Sequence, residues 1–160
     1  MKPSKFFLTK GIGTGDYRLL AFEMALRDAG ISPYNLVTVS SIIPPNCELI
    51  SKEEGIKMIE HGSIVFLVLS RVDSSKKNER ITASLGLAIP ENRNHYGYIS
   101  EYDDKGVEPE AAAKLVENMA STMLKSISDK EINFTLKSVV QSGIVKEKWM
   151  SVVSAAVFVP

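Results

Sequence analysis

Strand-like segments follow one another with short turns between them, and only two substantial helices interrupt them. That pattern predicts an α/β fold of the α+β kind, built on largely antiparallel sheet rather than a doubly wound parallel one. Composition shifts nowhere along the 160 residues as it would at a linker, and nothing repeats, so residues 1–160 are expected to form a single domain. A chain of this length can bury roughly 70% of its unfolded surface, enough for a core of its own.

Taken in order, the glycine-rich stretch 11–17, GIGTGDY, reads as a turn. After it Leu19, Phe22, Leu26 and Ala29 recur at helical spacing, with Asp16 available as the cap and Gly30 as the stop. Residues 35–40 form a strand. Ser51 and Glu54 have the spacing of a capping box and open a short helix that ends near Gly62. Three further strands follow at 63–72, 81–90 and 95–102, rich in β-branched and aromatic residues, with 73–80 between the first two as an exposed hairpin tip. Pro109 stands where a first helical residue would, and Ala112, Leu115 or Val116, Met119, Met123 and Ile127 make the apolar stripe of the next helix. Strands at 132–142 and 149–159 complete the pattern.

Charge and composition exclude several classes. Lysine plus arginine equals aspartate plus glutamate at 19 each, which removes the broad positive field that nonspecific nucleic-acid binding uses. The one cysteine, Cys47, leaves neither an intrachain disulfide nor a thiolate cluster for zinc, and suits a reducing compartment. The first ten residues lack the apolar core of a signal peptide, and the longest apolar run, 64–69, is far short of a membrane span. A soluble cytoplasmic domain without membrane or nucleic-acid partners is the expectation. In GIGTGD, Asp16 stands where a dinucleotide fingerprint needs its third glycine, and no phosphate-loop lysine follows. His61 and His95 lie far apart without metal-ligand spacing.

The stretch 35–45, NLVTVSSIIPP, ends a strand on two adjacent serines before two prolines. One reading is local: hydroxyls at a strand end satisfy loose backbone groups ahead of a proline turn. The other is chemical. The Ser41 hydroxyl, held against the carbonyl of Ser40, can attack it and convert the peptide bond to an ester through an oxyanion, given a strained strand end and a donor for the charge. β-Elimination of that ester breaks the chain and leaves dehydroalanine, whose imine tautomer hydrolyses to ammonia and a pyruvoyl group. Spacing alone leaves both readings open.

The segments LAFEMALRDAGI, NLVTVSSIIPP, LGLAIP and GYISEY, in this order and spacing, resemble the pyruvoyl-dependent arginine decarboxylase family, distinctively from Gly11 to about Lys105 and compatibly beyond. The resemblance implies cleavage between Ser40 and Ser41, giving a small subunit 1–40 and a large subunit 41–160 that starts at a pyruvoyl group derived from Ser41. It implies a four-layer αββα sandwich, assembled as a homotrimer with active sites between neighbouring subunits. The strand count agrees, since two helices cannot cover one sheet of so many strands, whereas two packed sheets with helices outside bury their alternating faces. It also implies arginine decarboxylation to agmatine, a polyamine precursor, with no pyridoxal phosphate, metal or nucleotide.

Carried over position by position, the family pattern makes Asn35 the polar group that assists self-processing, by donating to the oxyanion at Ser40 or by fixing the peptide. Glu101 resembles the proton donor. Strand alternation supports it independently, because Glu101 shares a face with Gly97 and Ile99 while the tyrosines point the other way. The competing reading makes Glu101 the start of an exposed acidic turn with Asp103 and Asp104. Glu23 stands where the family usually has the aspartate that meets the substrate guanidinium; read locally, it pairs with Arg27 on the helix surface. Two other functions fit the same residues: a pyruvoyl-dependent decarboxylase of another amino acid, and an uncut, non-enzymatic oligomeric module.

Overall fold

The computed structural model describes residues 1–160. Along the chain run β1 (Lys5–Gly15), α1 (Arg18–Ala29), β2 (Asn35–Thr38), β3 (Ile42–Ile43), β4 (Glu48–Leu49), α2 (Lys52–Lys57) and β5 (Ile64–Ser74), then β6 (Arg80–Pro90), β7 (Gly97–Lys105), α3 (Pro109–Lys125), β8 (Phe134–Ile144) and β9 (Trp149–Val159). One sheet has the strand order β2-β5-β9-β1-β4 and the other β3-β7-β6-β8. Pairing is antiparallel except at the margins of the larger sheet, where β2 runs parallel to β5 and β4 to β1. The α1 helix covers the outer face of the larger sheet and α3 that of the smaller, so the expected four-layer αββα sandwich is the architecture observed. No helix is long and apolar enough to cross a membrane.

The glycine-rich stretch is not a turn. It is the second half of β1, paired residue for residue with β9 as far as Gly15 and Trp149. Gly11 and Gly13 are there because α1 lies directly on them: a Cβ at Gly11 would overlap the Ala25 carbonyl, and one at Gly13 the Ala25 amide. The helix answers with its own small residues. Ala21, Ala25 and Ala29 are fully buried, whereas Leu19, expected in the stripe, is 76% exposed. Asp16 does not cap the helix either; Tyr17 holds that position without a side-chain bond, and Asp16 pairs with Lys148 at 2.9 Å. Gly30 stops α1 in the left-handed conformation (φ 77°), as expected, and the Ser51/Glu54 capping box opens α2. In α3 the buried stripe is Ala112, Val116, Ala120 and Leu124, so the expected methionines lie beside the core face rather than on it. The reason is again close approach, since Gly86 of β6 lies under the Val116 backbone and Ser100 Oγ donates to the Val116 carbonyl at 2.5 Å.

Residues 73–80 connect no hairpin. The β5 and β6 strands belong to different sheets, so this segment crosses between them, turning at Asn78 (φ 65°). Between the sheets Phe6, Leu85, Leu87, Ile99 and Phe158 are packed, each almost wholly buried, and each such side chain contributes about 1.5–3 kcal/mol. Serines pin the sheets across this core: Ser70 donates to the Tyr102 carbonyl at 3.2 Å and Ser154 to that of Ala83 at 2.8 Å.

On the outer face of the larger sheet, the Asp73 side chain is 2% exposed and held by Arg18 Nε and Arg71 Nη2, each at 2.8 Å, while the Arg71 guanidinium stacks 3.5 Å above the Phe22 ring. Burial pulls the Asp73 pKa upward, but the hydrogen bonds from Arg71 and Arg18 outweigh it and hold the carboxyl below its ordinary value. Breaking a buried pair costs about 3–5 kcal/mol; because both guanidinium groups keep some access to water, Asp73→Ala is expected near the lower end, about 3 kcal/mol, which lowers Tm by roughly 6–12 °C. The sign with pH follows from the depressed folded pKa. The difference from wild type in thermal melts should be full at neutral pH and shrink only as pH falls below about 4, through the folded pKa of Asp73.

Candidate active site

The Ser40-Ser41 peptide is itself a crossing between the sheets. On one side the Val39 amide donates to the Leu67 carbonyl of β5 at 2.9 Å; on the other the Ile99 amide of β7 donates to the Ser41 carbonyl at 2.7 Å. Only Ser40 lies between these two anchors, so the bond joining the serines lies where the chain passes from one sheet to the other. Beyond it the proline turn is fixed by Asn46 in the left-handed conformation (φ 62°), whose amide donates to the Arg93 carbonyl at 2.8 Å, and by Arg93 Nη2 donating to the Cys47 carbonyl at 2.7 Å. The only non-glycine residues with positive φ are Asn46 and Asn78. The serine pair is therefore tethered at both ends, and neither serine is in the left-handed conformation.

The β3–β7 register pairs Ile42 with Tyr98 and Ile43 with Gly97, and the bond to Ile99 continues it to Ser41. Residues directly opposite in an antiparallel pair share a face, so Ser41 lies with Ile99 on the inter-sheet side. Glu101 is on that same face two residues farther along β7, about 7 Å by strand rise, where the outer edge of β7 has no partner strand. The register thus sets Ser41 and Glu101 on one face of the smaller sheet, with Ser40 next to Ser41 in the chain. Residues 101–104 belong to β7 and form no acidic turn. Glu101 keeps contact with solvent, yet desolvation of its carboxyl, with a smaller contribution from Asp103, raises its pKa. Asp103 on the same face is likewise raised by burial, then by Asp104. Asp104 on the other face is lowered by the Tyr102 hydroxyl, which donates to it at 2.7 Å. Cys47 is buried and its thiol is pushed up to about 11, which removes it as a nucleophile.

Asn35 and Glu23 lie elsewhere in the single chain. Asn35 opens β2, five residues from Ser40, and its side-chain amide donates to the Gly62 carbonyl at 2.8 Å. Glu23 is on the outer side of α1 and accepts from Arg27 Nε at 2.9 Å, the local pairing foreseen for it. A cavity of about 430 Å³ opens beside Ser40 at the end of the inter-sheet core, walled by Val39, Ile42, Phe66 and Phe158.

The family model for pyruvoyl-dependent arginine decarboxylase matches residues 5–160. The chain belongs to the pyruvoyl-dependent arginine decarboxylase family. It is 43% identical over 164 residues to pyruvoyl-dependent arginine decarboxylase 1 of Methanosarcina acetivorans and 46% identical over 166 residues to the enzyme of that name from Methanosarcina mazei, in each case covering 98% of this chain and 96% of the relative. The pyruvoyl-dependent arginine decarboxylase of Methanocella arvoryzae is 44% identical over 162 residues, with the same coverage. Membership makes the chain a decarboxylase, a carbon–carbon lyase, that depends on a covalently bound pyruvoyl group. The residues present fit such a group at Ser41. The Ile99 amide already holds the Ser41 carbonyl, the Ile99 side chain belongs to the inter-sheet core on that face, and a carboxyl with a raised pKa shares the face. Sequence reasoning had not singled out the anchors Leu67, Ile99 and Arg93. The one signal for Ile99 was its alternation with Glu101, and nothing local marks Arg93.

Proposed function

We propose that this decarboxylase cuts itself between Ser40 and Ser41, becoming chains 1–40 and 41–160, and converts arginine to agmatine and carbon dioxide. The observation that carries the reading is the tethered Ser40-Ser41 peptide with Glu101 beside it on the shared face of β7. Ser41 Oγ attacks the Ser40 carbonyl, and the two anchors hold the peptide for that attack. Once formed, the pyruvoyl group supplies a carbonyl that draws off the electrons left at the substrate Cα when carbon dioxide departs. Glu101, whose pKa is raised by desolvation of its carboxyl, delivers a proton to that Cα from its protonated form. Because Glu23 and Ser41 are on different sides of one chain, Glu23 reaches a substrate at Ser41 from a neighbouring copy, in the homotrimer implied by the family. Exposed Leu19, Leu20 and Met24 on α1 and Val37 on β2 are apolar surface available for such contact. Asn35 positions the start of β2 through Gly62, and a direct bond to the Ser40 oxyanion would come from a second copy. The cytoplasm is the compartment expected for an enzyme that makes a polyamine precursor.

Intact mass and product analysis test the reading together. Purified protein should yield two chains and release agmatine and carbon dioxide from arginine in preference to lysine, ornithine, histidine or aspartate; a cut protein inert toward arginine but active on another of these would replace the substrate. The Glu23 carboxylate already accepts a guanidinium, that of Arg27. Glu23→Gln should raise the KM for arginine about 30-fold, near 2 kcal/mol, with self-cleavage untouched. An unchanged KM would leave Glu23 as half of a surface ion pair.

A further inference from the structure

The cavity beside Ser40 has a feature that neither decarboxylation nor the family match uses. Residues 1–4 and 159–160 complete its wall, and Lys2 is the one residue with a charged side chain among all that line it; the rest are apolar, proline or serine. The segment carrying Lys2 is fixed just beyond it, where the Glu48 amide donates to the Ser4 carbonyl at 2.8 Å and the Ile50 amide to that of Phe6 at 2.9 Å. Chain cleavage as proposed above creates a charge at this place. When the ester between Ser41 Oγ and the Ser40 carbonyl carbon eliminates, the Cβ–Oγ bond of Ser41 breaks, the Cα proton leaves to solvent, and both oxygens stay on Ser40 as a carboxylate. A new anion then stands among the residues that line a largely apolar cavity.

We propose that Lys2 is the counter-cation of this step: its ammonium stabilises first the oxyanion and then the departing Ser40 carboxylate, making it a positioning residue for self-processing. The inference rests on the cut between Ser40 and Ser41 and adds to it a charged group from the far end of the small subunit. Asn35 stands at the start of β2, five residues before Ser40, with its side-chain amide donating to the Gly62 carbonyl. A cation that shares a cavity wall with a developing negative charge near the protein surface is expected to change the rate roughly 3- to 30-fold, and salt screens it.

The experiment follows cleavage of freshly made full-length protein by intact mass, in low and high salt, for wild type, Lys2→Met, Lys2→Arg and Lys2→Glu. Lys2→Met keeps the apolar stem, so loss of packing is not what it reads. It should cut several-fold more slowly than wild type and lose the salt dependence; Lys2→Arg should restore both, and Lys2→Glu should be slowest of all. Wild type and Lys2→Met cutting at one rate with one salt response would overturn the role of Lys2 while leaving the cut itself in place. A wild type that never cuts would overturn the processing reading and this inference with it.

Discussion

Ser41→Ala is expected to remain one intact chain of 160 residues, however long it is incubated, and to show no decarboxylase activity. The substitution removes the only atom in the tethered segment that can reach back to the Ser40 carbonyl in the geometry of an N-to-O shift, and it also removes the carbon skeleton oxidation level from which a pyruvoyl group can arise. The fold should be unaffected, because the bonds that hold this segment are backbone bonds, from Val39 to Leu67 and from Ile99 to Ser41. Ser40→Ala keeps the nucleophile and the attacked carbonyl, so it should still cut, at a reduced rate. Mass spectrometry reads both variants, and in the wild type it should find fragment 41–160 lighter by one ammonia than plain hydrolysis would leave it. Equal cleavage in Ser41→Ala would move the nucleophile to another residue.

Glu101→Gln separates cleavage from turnover. The amide keeps size and hydrogen bonding but carries no acidic proton, so the variant should cut normally while kcat falls about 10²- to 10⁴-fold, the range for losing a positioned general acid. In the wild type the acid works when protonated. Activity governed by Glu101 is therefore present below its raised pKa and lost as pH rises through it, on the alkaline side of the profile, at a pH above that of an ordinary glutamate. The acidic limb belongs to other groups. A Glu101→Gln enzyme that retains wild-type kcat and an unchanged alkaline limb would assign the proton to another donor.

Much of this architecture was legible because alternation and helical spacing are local signals. The last strand was read to the residue, 149–159, and Glu101 was set on the face of Gly97 and Ile99 by period two alone. What was misread has a common cause. Gly11 and Gly13 look like a turn to any rule about single residues, and the reason they form a strand lies in Ala21, Ala25 and Ala29 on the helix that packs over them. In the α3 stripe Ala112 and Val116 were read, while Met119 and Met123 were placed one position off from the buried Ala120 and Leu124. Sheet membership was also beyond local reading: nothing in 73–80 distinguishes a hairpin tip from a passage between layers. The site divides likewise. Serines before two prolines were conspicuous, whereas the anchors that flank them are backbone groups of Leu67 and Ile99, which carry no side-chain signature.

The pairing of β1 with β9 over eleven residues carries a consequence for the life of the molecule. Residues 1–40 contribute β1, β2 and α1, so a cut after Ser40 would sever the backbone without releasing either piece: the short chain would stay bound in the larger sheet, with β9 on one side of β1 and β4 on the other and β2 paired to β5. Before the cut, folding is a reaction of one molecule with itself. After it, the same structure once unfolded can return only by collision of two molecules, so its recovery slows with dilution. Maturation by such a cut would thus be irreversible in a second sense beyond the broken bond: the chain would have to find its shape while whole, and a cut enzyme that lost that shape could not regain it alone.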